Sequence, residues 1–246
     1  MRITIFEKGT SPVAVTFVEP KVTLIAETGT HDDVISRLME LDDSSAFSEG
    51  QNLIEFAGRS CYQSFDKPNP ATRSNADYLE KTLYQNGHWS IAEHVSATFY
   101  LEGVSRAFTH ELIRHRHLSY SQMSQRFVNE ENANFVIPPA LRGHDEWVEK
   151  LAEMDESALR CYTAMVEFLQ SPVGGKHPRK EAREAARSIL PNNIETKIVV
   201  TGDLRAWKEM LARRTQPDAD AEMQEVAGMI YDALSGSYPA VFPEKN

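Results

Sequence analysis

Between Arg106 and Arg126 the sequence places four arginines and three histidines with Glu111 as the only acid, although the whole chain carries a formal charge of -10. A surface helix usually interleaves such cations with acids three or four residues away, and here those acids are missing. The fold must bring counter-charge from elsewhere or leave the island facing an anion. Arginine presents a rigid fork of donors suited to phosphate and carboxylate. Serines and glutamines between the arginines add neutral donors and acceptors. By residue chemistry alone, the segment recognises anions, and phosphate suits it best.

Composition narrows the setting. A chain of 246 residues can bury a sizeable core as one large domain or two small ones. Hydrophobic residues at 41% and charged residues at 25% sit near the averages of soluble globular proteins. No apolar run approaches the ~18 residues of a membrane span, and the start at Met1 lacks the apolar stretch of a secretory signal. The predicted location is the cytoplasm. Overall acidity argues against a general nucleic-acid binder with a broad basic surface and fits positive charge gathered in a cleft. Cys61 and Cys161 lie far apart without metal-ligand spacing, each in a helical pattern. Both are predicted to be buried, reduced thiols.

Taken in order, the chain alternates strand and helix signals. Ile3–Phe6 and Val22–Ala26 are predicted strands, with turn and loop from Gly9 to Pro20 and residues 1–20 as an N-terminal elaboration. Leu53, Ile54, Phe56, Ala57 and Cys61 recur at helical spacing and predict a helix over 51–62. Past a Pro-Asn-Pro break, Asn75 is the predicted cap of a helix reaching about Gln85. Asn86-Gly87 then turns the chain into His88-Trp-Ser-Ile-Ala-Glu-His94 and a strand, Val95–Leu101.

Gly103 is expected to open a helix carrying Arg106, His110, Arg114 and His117 as one polar stripe, with Phe108 and Leu112 facing the core. After Ser119 the serines compete for backbone hydrogen bonds. A loop there should aim Ser124 and the backbone N–H groups of Gln122 to Arg126 at a phosphate. His110-Glu-Leu-Ile-Arg-His115 superficially looks like the His-Glu-x-x-His helix of a metalloprotease. Its spacing of five turns the second imidazole roughly 140° from the first, so no metal site is predicted.

Phe135–Pro139 reads as a short edge strand stopped by proline. Asp145 to Gln170 reads as a long amphipathic helix with Leu151, Met154, Leu159, Tyr162, Met165 and Phe168 inward. Another helix lies between Pro178 and Pro191, with Arg179, Arg183 and Arg187 on one side. Glu195–Thr201 is a predicted strand. Asp203 should cap a helix that turns Leu204, Trp207 and Leu211 inward and ends near Arg213-Arg214. A last helix runs from Pro217 to Leu234. With no internal repeat or linker, the predicted architecture is a single domain over residues 1–246 of the α/β (α+β) class. Its sheet is small and largely antiparallel, flanked by long helices.

Arg114-His115-Arg116, seven further residues and then Ser124 closely resembles the signature of flavin-dependent thymidylate synthases. Thr109–Ile113 before it and Ser124-Gln-Arg-Phe127 at its end agree, and two weaker stretches extend the resemblance from about Leu53 to Arg214. What the resemblance implies is that family's fold, in a homotetramer with active sites between subunits. The implied reaction is reductive methylation of dUMP to dTMP, with carbon from 5,10-methylenetetrahydrofolate and hydride from NADPH passing through FAD. No cysteine nucleophile is needed, unlike in the unrelated class of thymidylate synthase. The resemblance assigns FAD contacts to Ser90, Arg114, His115, Arg116, Gln122, Asp203, Leu204, Arg205 and Glu209. It assigns dUMP contacts to Glu111, Arg114, Gln122, Met123, Ser124, Gln125, Arg126 and Arg214, with Arg187 reaching in from a neighbouring subunit. His88 is implied to lie near flavin and folate. Arg214 matches the arginine that holds the uracil edge. A guanidinium cannot act as a base at neutral pH, so its catalytic role is electrostatic stabilisation of the deprotonated imide.

Two residues depart from the family pattern. Asp203 stands where relatives commonly have asparagine, and Glu209 where they commonly have histidine or asparagine. An ionised carboxylate only accepts hydrogen bonds and repels an anionic reduced flavin, so weaker FAD binding and slower flavin reduction are expected. A flavin- and nucleotide-binding relative with impaired synthase activity is therefore one alternative. Two other classes compete: a single-stranded nucleic-acid binder using Arg-His-Tyr-Phe stacking, and a metal-dependent hydrolase.

Overall fold

Ala97, Phe99 and Leu101 alternate with Ser96, Thr98 and Tyr100, and that alternation buries one face of a ten-residue strand, β4 (Ser96–Ser105). In the computed structural model, which describes residues 2–4, 14–39, 48–67 and 69–244, β4 lies between β3 (Lys21–Glu27) and β7 (Glu195–Asp203), antiparallel to both. β5 (Ser119–Gln122) adds to the far side of β7, giving the order β3-β4-β7-β5. After α1 (Asp32–Met39), the helices α2 (Glu49–Tyr62), α4 (Arg106–Leu112), α7 (Leu204–Arg214) and α8 (Ala221–Ser237) add their apolar stripes to the same core. At its centre Phe99 and Trp207 meet edge to face at 5.1 Å, and Trp207 Nε1 donates to the Ala97 carbonyl at 3.0 Å. The largest buried ring thus leaves no polar atom unsatisfied.

A second, smaller sheet joins β1 (Arg2–Thr4), β2 (Ala14–Val18) and β6 (Phe135–Val136), with β6 at its edge. β1 pairs antiparallel with β2, and β2 pairs parallel with β6. α5 (Asp145–Gln170) closes this core by laying Val148, Ala152 and Leu159 on Val15, Phe17, Phe135 and Ile194. The span from Gly9 to Pro20, expected as loop, therefore contains a strand with Val15 and Phe17 buried. Nearby turn residues Gly9, Ser11 and Pro12 obscured that alternation. Ile5 and Phe6 of the first predicted strand lie outside the described residues.

α2 and α5 begin and end close to their predicted limits, but their outward faces differ from expectation. Met154 and Phe168 are exposed, on the side of α5 turned away from the β2–β6 core. Cys61 and Cys161 are exposed free thiols and not buried ones. Under α2 lies a buried ion pair, Glu55 with Arg59 at 2.6 Å, joined by Lys67 at 3.1 Å. Asn75 contributes there, donating to Glu55 Oε2 at 2.8 Å and to the Gln51 carbonyl at 3.1 Å. It is therefore not a helix cap. Ser74 caps α3 (Asn75–Leu79), its Oγ accepting from the Asp77 N–H at 3.1 Å. The helix continues as a π-helical turn, Glu80–Gln85, whose wider winding shows in the Asn86 N–H bonded to the Lys81 carbonyl five residues back.

Gly103 does not open a helix. It lies within β4 at φ +67°, where the register against β7 shifts between Leu101 and Val104. An added Cβ would stand 2.0 Å from the Glu19 carbonyl oxygen. The helix starts at Arg106, and Ser105 caps it: its Oγ accepts from the Phe108 N–H at 3.0 Å and donates to Glu222 of α8 at 2.6 Å. α4 ends at Leu112, so Arg106 and His110 share it while Arg114 and His117 lie in the turns beyond. Pairing of β5 with β7 takes residues 119–122 into a strand that serine chemistry alone did not suggest. Among the described residues, no helix is long and apolar enough to cross a membrane, and no three His, Cys, Asp or Glu side chains converge in a metal-binding group.

Gly103→Ala is expected to lower stability by more than about 2 kcal/mol, since strain and a backbone clash combine. Gly143 is also left-handed, at φ +82°, but has open space around it. Gly143→Ala should cost only about 1 kcal/mol, and urea denaturation of the two variants compares them.

Candidate active site

The turn that follows α4 is held from inside. Tyr120 of β5 reaches the Leu112 and His115 carbonyls with its hydroxyl, at 2.7 and 2.8 Å. This fixes His115 against Arg214, the last residue of α7. Arg214 Nε donates to His115 Nε2 at 2.9 Å, and its Nη1 to Glu111 Oε2 at 2.9 Å. Its Nη2 reaches the Glu111 carbonyl at 3.3 Å. Because a guanidinium only donates, His115 Nε2 must be the acceptor, which puts the ring proton on Nδ1. Burial, then the charges of Arg214 and Arg213, push the His115 pKa down to about 4 against the pull of Glu111. At neutral pH the imidazole is uncharged, and Arg214 is oriented by one neutral and one anionic partner.

Beside this cluster runs a groove of three adjoining hollows. One of about 250 Å³ is lined by Arg114, His115, Arg116, His117, Leu118, Ala206, Glu209 and Arg213. The next, about 310 Å³, shares His117, Ala206 and Glu209 and adds Glu93, Asp203 and Arg205. The third, about 410 Å³, shares Arg205 and Glu209 and adds Gly87, His88, Trp89, Ser90 and Lys208. Their combined extent falls in the range of small-molecule and cofactor sites. Arg205 bridges Glu93 at 2.6 Å and Glu209 at 3.1 Å. Asp203 Oδ1 accepts from the Ala206 N–H at 2.8 Å and caps α7.

A second group forms around the turn that follows β5. The Val128 N–H bonds to the Ser124 carbonyl at 2.9 Å, closing one helical turn. Arg126 of that turn pairs with Glu184 of α6 (Arg179–Ala186) at 2.7 Å, and Arg187 follows α6 directly. The open cradle of N–H groups expected here is only partly available. The Met123 N–H is spent on the Lys197 carbonyl at 2.8 Å, and that of Arg126 on Ser124 Oγ at 3.4 Å. Gln122 Nε2 is engaged with Thr109 and Thr196, and the Gln125 side chain is buried.

A family model described as "Thymidylate synthase complementing protein" matches residues 40–240. A flavin-dependent thymidylate synthase of Mycobacteroides abscessus is 45% identical over 226 residues, covering 90% of this chain and 88% of that protein. One from Mycobacterium avium is 45% identical over 199 residues, covering 79% of each. The chain belongs to the flavin-dependent thymidylate synthase family. In fold it is similar to thymidylate synthase X of Helicobacter pylori, whose crystal structure contains FAD and dUMP. That likeness has a TM-score of 0.63 at 22% identity and covers 92% of this chain and 98% of the other.

Within this flavin-dependent family frame, the groove gathers Arg114, His115, Arg116, Ser90, His88, Asp203, Arg205 and Glu209, while Arg214 binds both Glu111 and His115 directly. Leu204 is turned into the core, with its N–H bonded to the Val95 carbonyl, so it has no side chain to offer a cofactor. Ser124, Arg126 and Arg187 sit in the second group. The donor set of the groove suits the pyrophosphate and polar ring edges of FAD. Of the two departing acids, Asp203 caps α7 and Glu209 is paired with Arg205, so neither carboxylate is without a partner. Lys208, over the Trp89 ring at 4.4 Å, and Glu93 had no assigned role before the structure. The Arg205–Glu209 spacing of four was a readable signal for their pairing, whereas the Glu93–Arg205 bridge spans 112 residues and had none.

His115 is expected to titrate near pH 4 by NMR in the wild type. In Arg214→Met its pKa should move up by about one unit, since one of the two nearby cations is gone while burial remains.

Proposed function

We propose that the protein converts dUMP to dTMP by reductive methylation, with 5,10-methylenetetrahydrofolate as carbon donor and NADPH as reductant, and that it works as a homotetramer of single-domain subunits. The observation that carries this reading is the fixed Arg214 guanidinium, held by neutral His115 and by Glu111 at the edge of a cationic groove. In this reading Arg214 lies along the uracil edge and offsets charge that develops on the imide. A more electron-rich ring carbon follows, and with it attack on the one-carbon unit. Because His115 stays neutral, the field of Arg214 is directed by Glu111 and is not diluted by a second mobile proton. Arg114, Arg116, Arg205 and Ser90 would hold FAD, which when bound supplies the hydride drawn from NADPH. His88, exposed beside Trp89 and Lys208, would face flavin and folate. Ser124, Arg126 and Arg187 would take the dUMP phosphate, Arg187 coming in this reading from the same chain and not from a neighbouring subunit, with Glu184 holding Arg126 extended beforehand.

The tetramer is supported by the free face of α5. Trp147, Met154, Cys161 and Phe168 recur every seven residues and are all exposed, opposite the face buried on β2 and β6. One exposed, mostly apolar position in each heptad gives a neighbouring helix a stripe to pack along. A second copy of the same chain is the self-complementary occupant. Of the two rings the nucleic-acid alternative would stack on, Tyr120 is tied by its hydroxyl to the α4 turn, which leaves Phe127 as the exposed one.

Purified protein should be yellow, and Arg214→Ala should lose at least about a hundredfold in dTMP formation while retaining flavin absorbance and the wild-type sedimentation coefficient. An active alanine variant of unchanged assembly would remove Arg214 from the mechanism. The double change Asp203→Asn, Glu209→His should leave flavin affinity within about threefold of wild type, because exposed ion pairs contribute little. A large gain in a flavin titration would show instead that the acids oppose the cofactor.

A further inference from the structure

Behind the Ser124–Val128 turn lies a buried polar layer that no step above uses. Glu130 is 2% exposed, and its Oε1 has no hydrogen-bond partner among the described residues. Its backbone N–H reaches the Tyr162 hydroxyl of α5 at 3.4 Å. Facing it from α4 is Arg106, whose Nη1 is buried and equally unpartnered. Glu195 faces it from β7, with its two oxygens already taken by the Gly103 N–H at 3.0 Å and Asn134 Nδ2 at 2.7 Å. Gln125 comes from the turn itself, 5% exposed. Its amide is close enough to favour an ionised Glu130, although Nε2 completes no hydrogen bond. Arg187 bears on Arg106 from the other side, while Arg183 and Glu131 bear on Tyr162.

We propose that Glu130 is a positioning residue for the substrate phosphate, coupled to it by a proton: protonated, it leaves Arg106 free to bear on the phosphate beside Arg187, and ionised, it competes with the phosphate for the Arg106 charge. The inference rests on the placement of the dUMP phosphate at Ser124, Arg126 and Arg187 proposed above. Burial dominates the environment of Glu130 and raises its pKa to about 7, opposed by Arg106 and reinforced by Glu195. A dianionic phosphate nearby adds like-charge repulsion and draws the guanidinium groups toward itself, and both effects favour the protonated acid. Above pH 7 the unliganded carboxyl is mostly ionised, so binding must return its proton. Below pH 6 the proton is already in place. Affinity for dUMP should therefore fall as pH rises through 7.

The test is calorimetric titration of dUMP into the FAD-loaded protein at pH 7.5, in two buffers of different ionisation enthalpy. At that pH the free phosphate is already dianionic, its second pKa being about 6. The wild type should take up about half a proton per site, and its Kd should rise about tenfold between pH 6.5 and 8.5. Glu130→Gln, which is permanently neutral, should bind with no proton uptake and a flat pH profile. A purely structural role would weaken binding at every pH and leave the proton count unchanged. Should the variant not fold, the wild-type proton count decides alone. Binding without uptake, or equal uptake in the glutamine variant, overturns the inference while leaving the phosphate site intact. No dUMP binding at any pH overturns the functional reading and this inference with it.

Discussion

The antiparallel ladder between β4 and β7 is the constraint on which the rest of the molecule depends. It places Ser96 opposite Asp203 at one end and Ser105 opposite Glu195 at the other. α4 leaves from the second end and α7 from the first, so the end of one helix meets the end of the other where Arg214 touches Glu111 and His115. Both helix starts are secured at the ladder's ends: Ser105 caps α4 and is held in turn by buried Glu222, and Asp203 caps α7. Unsatisfied N–H groups at a helix start cost free energy in a buried setting. Here the capping side chains also fix where Arg214 arrives.

The cationic segment finds its counter-charge at long range. Arg126 is answered by Glu184 of α6, while Glu130 bears on Arg106 through its charge without a bond to Nη1. Arg205, outside the segment, ties Glu93 to Glu209. None of these acids lies within helical reach of its cation inside the segment, apart from the Arg205–Glu209 pair on α7. Arg114 and Arg116 remain exposed at the groove. The result is a positive lining inside a chain of net charge -10, the arrangement that concentrates an anionic ligand without making the whole surface basic.

Elements whose signals are local were legible in the sequence. α5 shows its full length through periodicity, Asp203 shows its capping role through position, and Phe108 and Leu112 show their burial through spacing. Features decided by distant partners were not. β2 needs β6 to be recognisable as a strand, and β5 needs β7. Gly103 looks like a helix opener until Glu19 is seen pressed against it. Asn75 has the right chemistry for a cap, but a buried carboxylate twenty residues earlier claims it. The site divides in the same way. The Arg-His-Arg signature could be read directly, whereas the bond between His115 and Arg214 joins residues 99 apart and has no local trace.

The π-helical turn at Glu80–Gln85 has a consequence for how this chain can vary. Each such turn winds one extra residue into a helix, and the segment that follows, from Asn86 to Ser90, supplies one wall of the groove. Deleting one residue there would let the helix relax to ordinary winding with the residues on either side still facing the same way, because the wide turn only absorbs the extra residue. The same deletion in an ordinarily wound helix such as α7 would rotate everything after it by roughly 100°. His88 and Ser90 would stay on the side of Arg205 and Lys208, so this short stretch can lose a residue where the regular helices around the groove cannot.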